Sequence, residues 1–573
     1  MAITTLTTDV LVIGAGIAGL RAAIQVKRYD LDVIIADKST ARTNLSSVAG
    51  GTQGIVMNYW SLSMPTSLKG LVERGVKGGA WEIMYGKDQR LEEVNAIEQI
   101  PYQDELAEFG VLNPRDQKSY GPPGRMGWAT TGPMWHHVQD IGCKLIKFFN
   151  ITDLLTVDGQ VVGAVGFDVR KGDFMVVIAK AVVIATGGAG ECWARNNTPV
   201  RSTGDGHAIA YRNGVEMNMM EYESFDAWLI SEKGQPQYWI PPSYARTMVN
   251  LTNAKGEDFL PNYVTLGPDA TLKPGDPFHI KYGTPVIDNV ATIARAMANE
   301  VHEGRGDEGG VFCDFTHVPE EVWMSEPKGI AGLHAMRNFD WKKKPIHMYP
   351  GALGSWGGIK ITEECDTNLQ GLFAGGEVSY GEDLKYSLVF GVRAGRSAAE
   401  WAMNRPLIKP DTIQIKEKKD YLDRIMSKPK SADGNPRGIR EAIQKLSMEK
   451  FGVLKNEQWL TEGLMELADL RKIANEKFYA TDPRELRLAC EADFMFDCQE
   501  MHAKAALLRT ETRGVHNRLD YPYTDNDLWI KDIRIEKVDG NMTLRTANTR
   551  TGPVKVPGGK IPIRGLSTAK QDS

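Results

Sequence analysis

The chain has 573 residues, more than one hydrophobic core accommodates, so roughly two to four domains are expected. Charged residues make up 25% and the formal net charge is −5, which argues against a basic surface for nucleic acid. No apolar run approaches the roughly eighteen residues of a membrane span. There is no charged-then-apolar leader and no twin-arginine signal, so a cytoplasmic protein without a direct membrane span is expected. The six cysteines, Cys143, Cys192, Cys313, Cys365, Cys490 and Cys498, form no CxxC and no iron–sulfur spacing. They are read as reduced, mostly buried thiols with no metal role, so that any cluster would belong to another chain.

The first pattern is the most informative. Asp9 to Ile13 reads as a strand, Gly14-Ala15-Gly16-Ile17-Ala18-Gly19 as a tight turn, Leu20 to Lys27 as a helix, and Val33 to Ala36 as a second strand ending in Asp37. Gly14 permits the sharp turn, Gly16 lets a pyrophosphate approach the backbone, and Gly19 lets the helix pack on the strand. The helix N-terminus offers unpaired N–H groups to phosphate, and Asp37 can accept from a ribose hydroxyl. A bare GxGxxG is weak, but a strand–turn–helix–strand unit closed by an acid is a dinucleotide site. Its early position leaves no room for a targeting peptide.

The next stretch, Ser46 to Ile55, is rich in small residues and glycines. Gly50 and Gly51 there would let the backbone lie against a flat ring, although the composition also suits an ordinary loop. Amphipathic helix patterns follow at Leu91 to Gln99 and His136 to Phe149, split by a Gly/Pro-rich loop at Gly121 to Arg125. Strand patterns cover Gln160 to Gly166, Asp173 to Lys180 and Ala181 to Ala185, the last running into Thr186-Gly187-Gly188, a second glycine turn. Thr203-Gly204-Asp205-Gly206 opens a helix. From about Trp228 to Tyr349 prolines, aromatics and charges mix, which reads as an inserted α+β domain with a helix at Asp288 to Gly304 carrying Arg295. His302, His317 and His347 in this region read as structural. The dinucleotide texture then returns with Gly357-Gly358-Ile359, with Gly371 to Gly376 ending in Glu377, and with a helix opening at Ser387-Leu388. Residues 406 to 480 and Glu491 to Arg509 are helical in pattern. Trp529 to Ile535 and Met542 to Arg545 look like short strands. The Gly-, Pro- and Lys-rich end is either an arm that embraces a partner or a disordered tail.

Together these motifs resemble the succinate dehydrogenase/fumarate reductase flavoprotein family, which includes L-aspartate oxidase and the adenylylsulfate reductase α subunit. The resemblance rests on the Gly14/Gly16/Gly19 turn with Asp37, on Ala185-Thr186-Gly187-Gly188, and on Thr203-Gly204-Asp205-Gly206. It continues in Arg295-Ala296-Met297 with Glu303-Gly304-Arg305-Gly306, Gly357-Gly358-Ile359 with Gly371 to Glu377, Phe451 to Glu457, and the block Arg509 to Pro522. It implies an α/β protein with a Rossmann-like FAD-binding domain in two parts (1–228 and 350–405), a capping domain (229–349), a helical domain (406–530) and a short β/tail extension (531–573). It further implies FAD, a cap that closes over the isoalloxazine, and hydride exchange at flavin N5. FAD would be held by Gly14, Gly16, Gly19, Asp37, Lys38, Ser46, Gly50, Gly51, Thr52, Ala185, Thr186, Gly187, Asp205, Gly376, Glu377, Ser387 and Leu388. The family's covalent flavin histidine falls near Ser46, and serine cannot make that bond, so FAD is expected to be noncovalent.

The departures bear on substrate. The histidine of the family's HPTG segment is replaced by Asp226, within Met220 to Trp228. The histidine expected before GGI is missing from Gly351 to Trp356. The arginine expected after Glu377 is missing from Val378 to Tyr386. A dicarboxylate needs two cationic clamps, best supplied as bidentate arginines, and Asp226 and Glu382 would repel it. Arg295 persists and is either the proton donor or acceptor opposite the flavin, a clamp, or a helix-surface salt bridge. Arg295, Asp226 and Glu223 are the catalytic candidates. The preferred reading is the FAD subunit of an oxidoreductase complex with an iron–sulfur (ferredoxin-like) partner and an organic substrate other than a C4 dicarboxylate. The alternatives are a fumarate reductase, succinate dehydrogenase or aspartate oxidase with an altered clamp, and an electron-relay subunit without substrate chemistry.

Overall fold

A computed structural model describes residues 1–39, 68–77, 85–111, 126–225, 227–235, 239–240, 250–263, 290–307, 309–317, 336, 338–382 and 384–566. Its main sheet contains β1 (Ile3–Ile13), β2 (Val33–Asp37), β3 (Lys144–Lys147), β4 (Phe149–Val157), β5 (Gln160–Asp168) and β6 (Phe174–Ile184) in the order β3-β2-β1-β6-β5-β4. β1 and β6 run parallel along their whole length, from Ile3 opposite Phe174 to Ile13 opposite Ile184. The beginning of β6 pairs antiparallel with β5, whereas its end pairs parallel with the short strand Leu372–Ala374. The parallel strands are apolar throughout: Val10, Leu11, Val12, Ile35, Val182 and Val183 are fully buried, as a sheet covered on both faces requires.

The helix Ile17–Lys27 links β1 to β2 and packs on the helix Leu384–Met403. Glycine makes that crossing close. A Cβ on Gly391 would stand 2.6 Å from Ala18 O, and one on Gly395 would stand 2.4 Å from Ala22 O. The chain therefore returns to the first sheet through Leu372–Ala374 and this helix, after an excursion of almost two hundred residues.

That excursion has its own hydrophobic core. Strands Trp239–Ile240, Ala227–Ile230, Ile346–Gly351, Val311–Asp314 and Asn250–Thr252 form an antiparallel sheet in that order. The helix Val290–His302 contributes Ile293, Ala296 and Met297, which pack with Val311, Cys313, Ile346 and Met348. A helical region follows, with Thr412–Ser427, Pro436–Lys450, Glu457–Lys477 and Pro483–Leu508. Each helix starts where the sequence supplies a cap: Asp411, Asn435, Asn456 and Asp482 accept a first-turn N–H through the side chain.

Three expectations change. The helix expected over His136 to Phe149 ends at Asp140. Gly142 turns the chain at φ 82°, and Lys144–Lys147 and Phe149–Val157 join β2 and β5 as strands, sheet pairing overriding a short helical period. Asp173 to Lys180 and Ala181 to Ala185 are one continuous strand, β6. The C-terminal arm lies back on its own chain through residue 566. Lys560–Pro562 pairs with Tyr523–Asp525, Gln89 Oε1 accepts from the N–H groups of Gly552 and Val554 at 2.8 and 3.0 Å, and Leu566 is buried. The hairpin Lys531–Val538/Asn541–Asn548 extends Met217–Asn218 and Gly358–Ile359 into a four-stranded sheet, so this extension is built into the dinucleotide-type half.

Candidate cofactor cleft and active site

The C-terminal ends of β1, β2 and β6 open on one cleft, with about 900 Å³ of empty space, part of it open solvent. This is where α/β sheets present ligands. Gly14 leaves β1 at φ 107°, and a Cβ there would stand 2.3 Å from Ala185 O. A Cβ on Gly19 would stand 2.0 Å from Gly14 O. Gly16 differs, because a Cβ there meets nothing within 4 Å and would project into the cleft. Gly16 is also the N-cap of the helix Ile17–Lys27 and supplies no side-chain cap, so the helix presents its first N–H groups to that space. Asp37 lies opposite. Its Oδ2 accepts from Ala15 N at 3.0 Å and its Oδ1 from Ser39 N and Oγ at 2.8 and 2.6 Å.

The far wall comes from β6 and the returning segment. Ala185, Thr186, Gly187, Asp205, Glu377 and Ser387 line it. Gly376, at φ 85°, lies against Ala18 and Ser387, and Leu388 points into the core instead, fully buried. Lys38 lines the cleft, but its ammonium is spent on Thr203 Oγ1 (2.8 Å), Asp205 Oδ2 (2.8 Å) and Glu491 Oε1 (3.2 Å). Glu491 is fully buried yet held below the usual carboxylate range by Lys38, Arg487 and Arg440, which outweigh desolvation. Lys38 thus ties the cleft to the helix Pro483–Leu508. Arg201, Pro199, Phe149 and Ile151 line the cleft as well and had no sequence signal. Arg201 reaches it through a left-handed backbone, φ 82°. Ser46, Gly50, Gly51, Thr52 and Asp226 lie outside the described residues.

Beyond the cleft the strand Glu223–Ser224 pairs with Gly354–Ser355. Ser355 bridges the buried Glu223 and the half-buried Glu377 of the cleft wall. Its N–H donates to Glu377 Oε1 at 3.2 Å and its Oγ donates to Glu223 Oε2 at 2.7 Å. Burial pushes the Glu223 carboxyl up to about 8 and Glu377 up to about 7. Trp193, Met220, Tyr222 and His502 join Glu223 and Ser355 around a small cavity of about 10 Å³, the room of about one water. Lys455 is fully buried, and desolvation, aided by Arg518, lowers it to about 7.

Arg295 is not a surface residue. It is 5% exposed, donates to Asn517 Oδ1 and Thr292 Oγ1, both at 3.1 Å, and makes no ion pair among the described residues. Burial lowers its guanidinium to about 10. Among the described residues Arg295 is therefore a buried hydrogen-bonding group and no helix-surface salt bridge. Arg295 instead joins the inserted region to the Arg509–Pro522 block.

The stretches expected to carry a clamp fold into a buried cluster. Trp356, Tyr380 and Tyr386 are each at most 2% exposed. Lys87 Nζ lies 4.2 Å from the Trp356 ring centre and 3.1 Å from Tyr386 Oη. Glu92 Oε1 accepts from Tyr386 and Tyr380 at 2.9 and 3.0 Å. The six cysteines are all buried free thiols.

The description "FAD binding domain" fits residues 9–387, more than half of the chain, and "Fumarate reductase flavoprotein C-term" fits residues 440–561. An uncharacterized FAD-dependent oxidoreductase of Methanocaldococcus jannaschii is 29% identical over 562 residues, covering 92% of this chain and 96% of that protein. A fumarate reductase (CoM/CoB) chain of Methanothermobacter marburgensis is 27% identical over 561 residues, covering 92% and 97%. The fold matches a mutant FrdA of E. coli quinol fumarate reductase with a TM-score of 0.82 over 97% of this chain and 98% of that one, at 23% identity. The chain belongs to the succinate dehydrogenase/fumarate reductase flavoprotein family and is an FAD-dependent oxidoreductase.

Proposed function

We propose that the chain is the FAD-bearing subunit of a cytoplasmic oxidoreductase complex. It exchanges a hydride at flavin N5 with an organic substrate other than a simple C4 dicarboxylate, and passes electrons singly to or from a separate ferredoxin-like iron–sulfur chain. The cleft fits the cofactor: Gly16 faces open space beside an uncapped helix start, as a pyrophosphate requires. In this reading Gly14, Gly16 and Gly19 admit the pyrophosphate, Asp37 takes the adenosine ribose, and the walls at Ala185–Gly187, Gly376–Glu377 and Ser387 hold the remainder noncovalently. FAD supplies the hydride acceptor or donor. In the same reading the inserted region over 229–349 is a capping domain, and it has a core of its own, whereas the two-part FAD-binding region and the helical region share one core.

One observation carries the substrate reading. Where relatives acting on dicarboxylates place cations, this chain packs Trp356, Tyr380 and Tyr386, and Lys87 beneath them is tied to Glu92 at 3.5 Å. Lysine committed to a buried carboxylate and two rings has no charge left for a second anion. Arg295 and Glu223 remain as the groups that hold or move a proton near the substrate, with Asp226 three residues after Glu223 in sequence. The test is the reaction of the reduced protein with fumarate in a stopped-flow instrument. Slow or absent reoxidation is expected, and reoxidation within milliseconds to seconds rejects the reading. Purification of the native protein with a co-eluting iron–sulfur chain tests the complex.

A second reading, a fumarate reductase with a differently built clamp, is favoured by the 27% identity with the Methanothermobacter fumarate reductase chain over nearly the full length of both. Among the described residues no helix is long and apolar enough to cross a membrane, which suits either reading.

A further inference from the structure

After the second glycine turn, Pro199 to Ser202 form a tight turn of their own. Ser202 N donates to Pro199 O at 3.0 Å, and Arg201 takes the third place at φ 82°. Glycine occupies such a place without strain, whereas an arginine there is held in the sparsely populated left-handed region. The turn is fixed from outside. Ser202 O accepts from Glu191 N at 3.0 Å, and Thr203 Oγ1, which lies 3.4 Å from Arg201 O, accepts from Lys38 Nζ at 2.8 Å. Of the described non-glycine residues with positive φ, Arg201 alone lines the cofactor cleft. Backbone strain that the surroundings hold in place gathers at ligand clamps.

No described contact accounts for the Arg201 side chain. It is half-buried, and among the described residues its guanidinium makes no ion pair and no hydrogen bond. The acids around it are engaged by other groups. Glu491 is bound by Lys38, Arg487 and Arg440 at 3.2, 2.6 and 3.0 Å, Asp205 by Lys38 at 2.8 Å, and Glu191 by Arg440. Asp37 accepts from Ala15 N and from Ser39. The cleft lining nearby is apolar. Phe149 and Ile151 of β4 and Ile209 of the helix Asp205–Arg212 line it, each at most 4% exposed, and that helix packs on β4. Lys147, two residues before Phe149, pairs with Asp37, so this apolar patch sits at the Asp37 end of the cleft.

We propose that Arg201 is the adenine clamp of the cleft, its guanidinium lying flat over the purine ring of FAD and closing a slot whose other wall is Phe149, Ile151 and Ile209. A guanidinium is planar, weakly hydrated and stacks on aromatic faces, so it covers a neutral ring without an anion to pair with. The attraction grows where water is excluded, as it is against these three apolar side chains. The strained turn is what sends the side chain into the cleft, and the ring contact offsets its cost when the cofactor is bound. The pyrophosphate is the other group that would attract a cation, and the helix start at Gly16 already receives it. The inference rests on FAD lying in the cleft as proposed above, with its adenosine ribose at Asp37.

The test is titration of the apoprotein with FAD, followed by flavin fluorescence, with ADP as a competitor that carries the adenosine and pyrophosphate without the flavin. Arg201→Gly removes the side chain and suits the φ of the turn. Its apoprotein should melt no lower than the wild type, while FAD and ADP bind about five- to thirtyfold more weakly, the range of a desolvated cation–ring contact. Arg201→Lys keeps the charge without the flat group and should recover little of that loss. The loss should be the same at low and high salt, because adenine is neutral, whereas a phosphate contact is screened. A lysine variant that binds both ligands like the wild type, or a loss that shrinks with salt, assigns the side chain to phosphate and overturns the proposal. A loss for FAD that ADP does not share overturns it too, as does ADP that displaces no FAD from the wild type. A glycine variant that melts well below the wild type makes Arg201 structural and also overturns it. Wild-type protein that takes up no FAD fails the cleft reading and this inference with it, whereas a glycine variant with wild-type affinity for FAD fails this inference alone.

Discussion

Gly16→Ala and Gly19→Ala separate what the glycine turn does for the cofactor from what it does for the fold. The backbone at Gly16 has φ −74°, which alanine adopts freely, and the new methyl meets no atom within 4 Å. Stability of the apoprotein should therefore change by no more than about 0.5 kcal/mol, or rise slightly through the loss of unfolded-state freedom. The same methyl enters the space assigned to the pyrophosphate. Displacing that group from the helix N–H groups should weaken FAD binding by roughly ten- to a hundredfold, about 1.4–2.8 kcal/mol. At Gly19 the methyl falls 2.0 Å from Gly14 O and 3.3 Å from Val12 Cγ1. The helix must move off β1, at a cost of about 1–3 kcal/mol for overpacking. Thermal denaturation of the two apoproteins and fluorescence titration with FAD give four numbers. Gly16→Ala should lose affinity and keep stability, and Gly19→Ala should lose stability first. A Gly16→Ala protein that binds FAD like the wild type refutes the placement of the pyrophosphate.

Asp37→Ala removes the proposed ribose acceptor and should weaken FAD binding by about ten- to a hundredfold, the range of a charged hydrogen bond. Fluorescence titration reads this, and unchanged affinity counts against that role. Glu223→Gln should alter how stability depends on pH. Burial raises this carboxyl from 4.5 to about 8, so between those values the folded protein keeps a proton that the unfolded chain has lost, and stability falls as pH rises. Denaturant midpoints of the wild-type and variant apoproteins at pH 5 and 8 should therefore diverge in favour of glutamine at the higher pH. A pH-independent difference contradicts the burial argument. Lys87→Met leaves Glu92 buried without its cation and should destabilise the protein by about 3–5 kcal/mol. Lys87→Met with Glu92→Gln should recover much of that, and a double variant no better than the single one would show that the ion pair is not the cause.

The first glycine turn was legible because Gly14 and Gly19 answer backbone demands that no other residue meets, Gly16 leaves open space beside the helix start, and Asp37 ends the adjacent strand. The helical texture of residues 406 to 480 was legible in its pattern, whereas the breaks between its helices at Asp411, Asn435 and Asn456 were not read. His136 to Phe149 was not, because its helical period is real only to Asp140 and the pairing of the remainder with β2 and β5 depends on segments elsewhere. Arg295 shows the limit for single side chains. Its helix follows from pattern, but its burial does not, because the partner that receives its guanidinium is Asn517, 222 residues later. Arg201 reaches the cleft only through a positive φ that its sequence does not announce. Lys455 and His516 lie in the stretches Phe451 to Glu457 and Arg509 to Pro522 that carry the resemblance, but nothing in those stretches announces that both side chains are fully buried.

The most direct test of the account is a map of the FAD-loaded protein. The account predicts FAD extended along the cleft, its pyrophosphate within hydrogen-bond distance of the first N–H groups of the helix Ile17–Lys27 and its adenosine ribose at Asp37. No bond should join the isoalloxazine to the protein. FAD bound elsewhere, or its pyrophosphate away from Gly16, contradicts it.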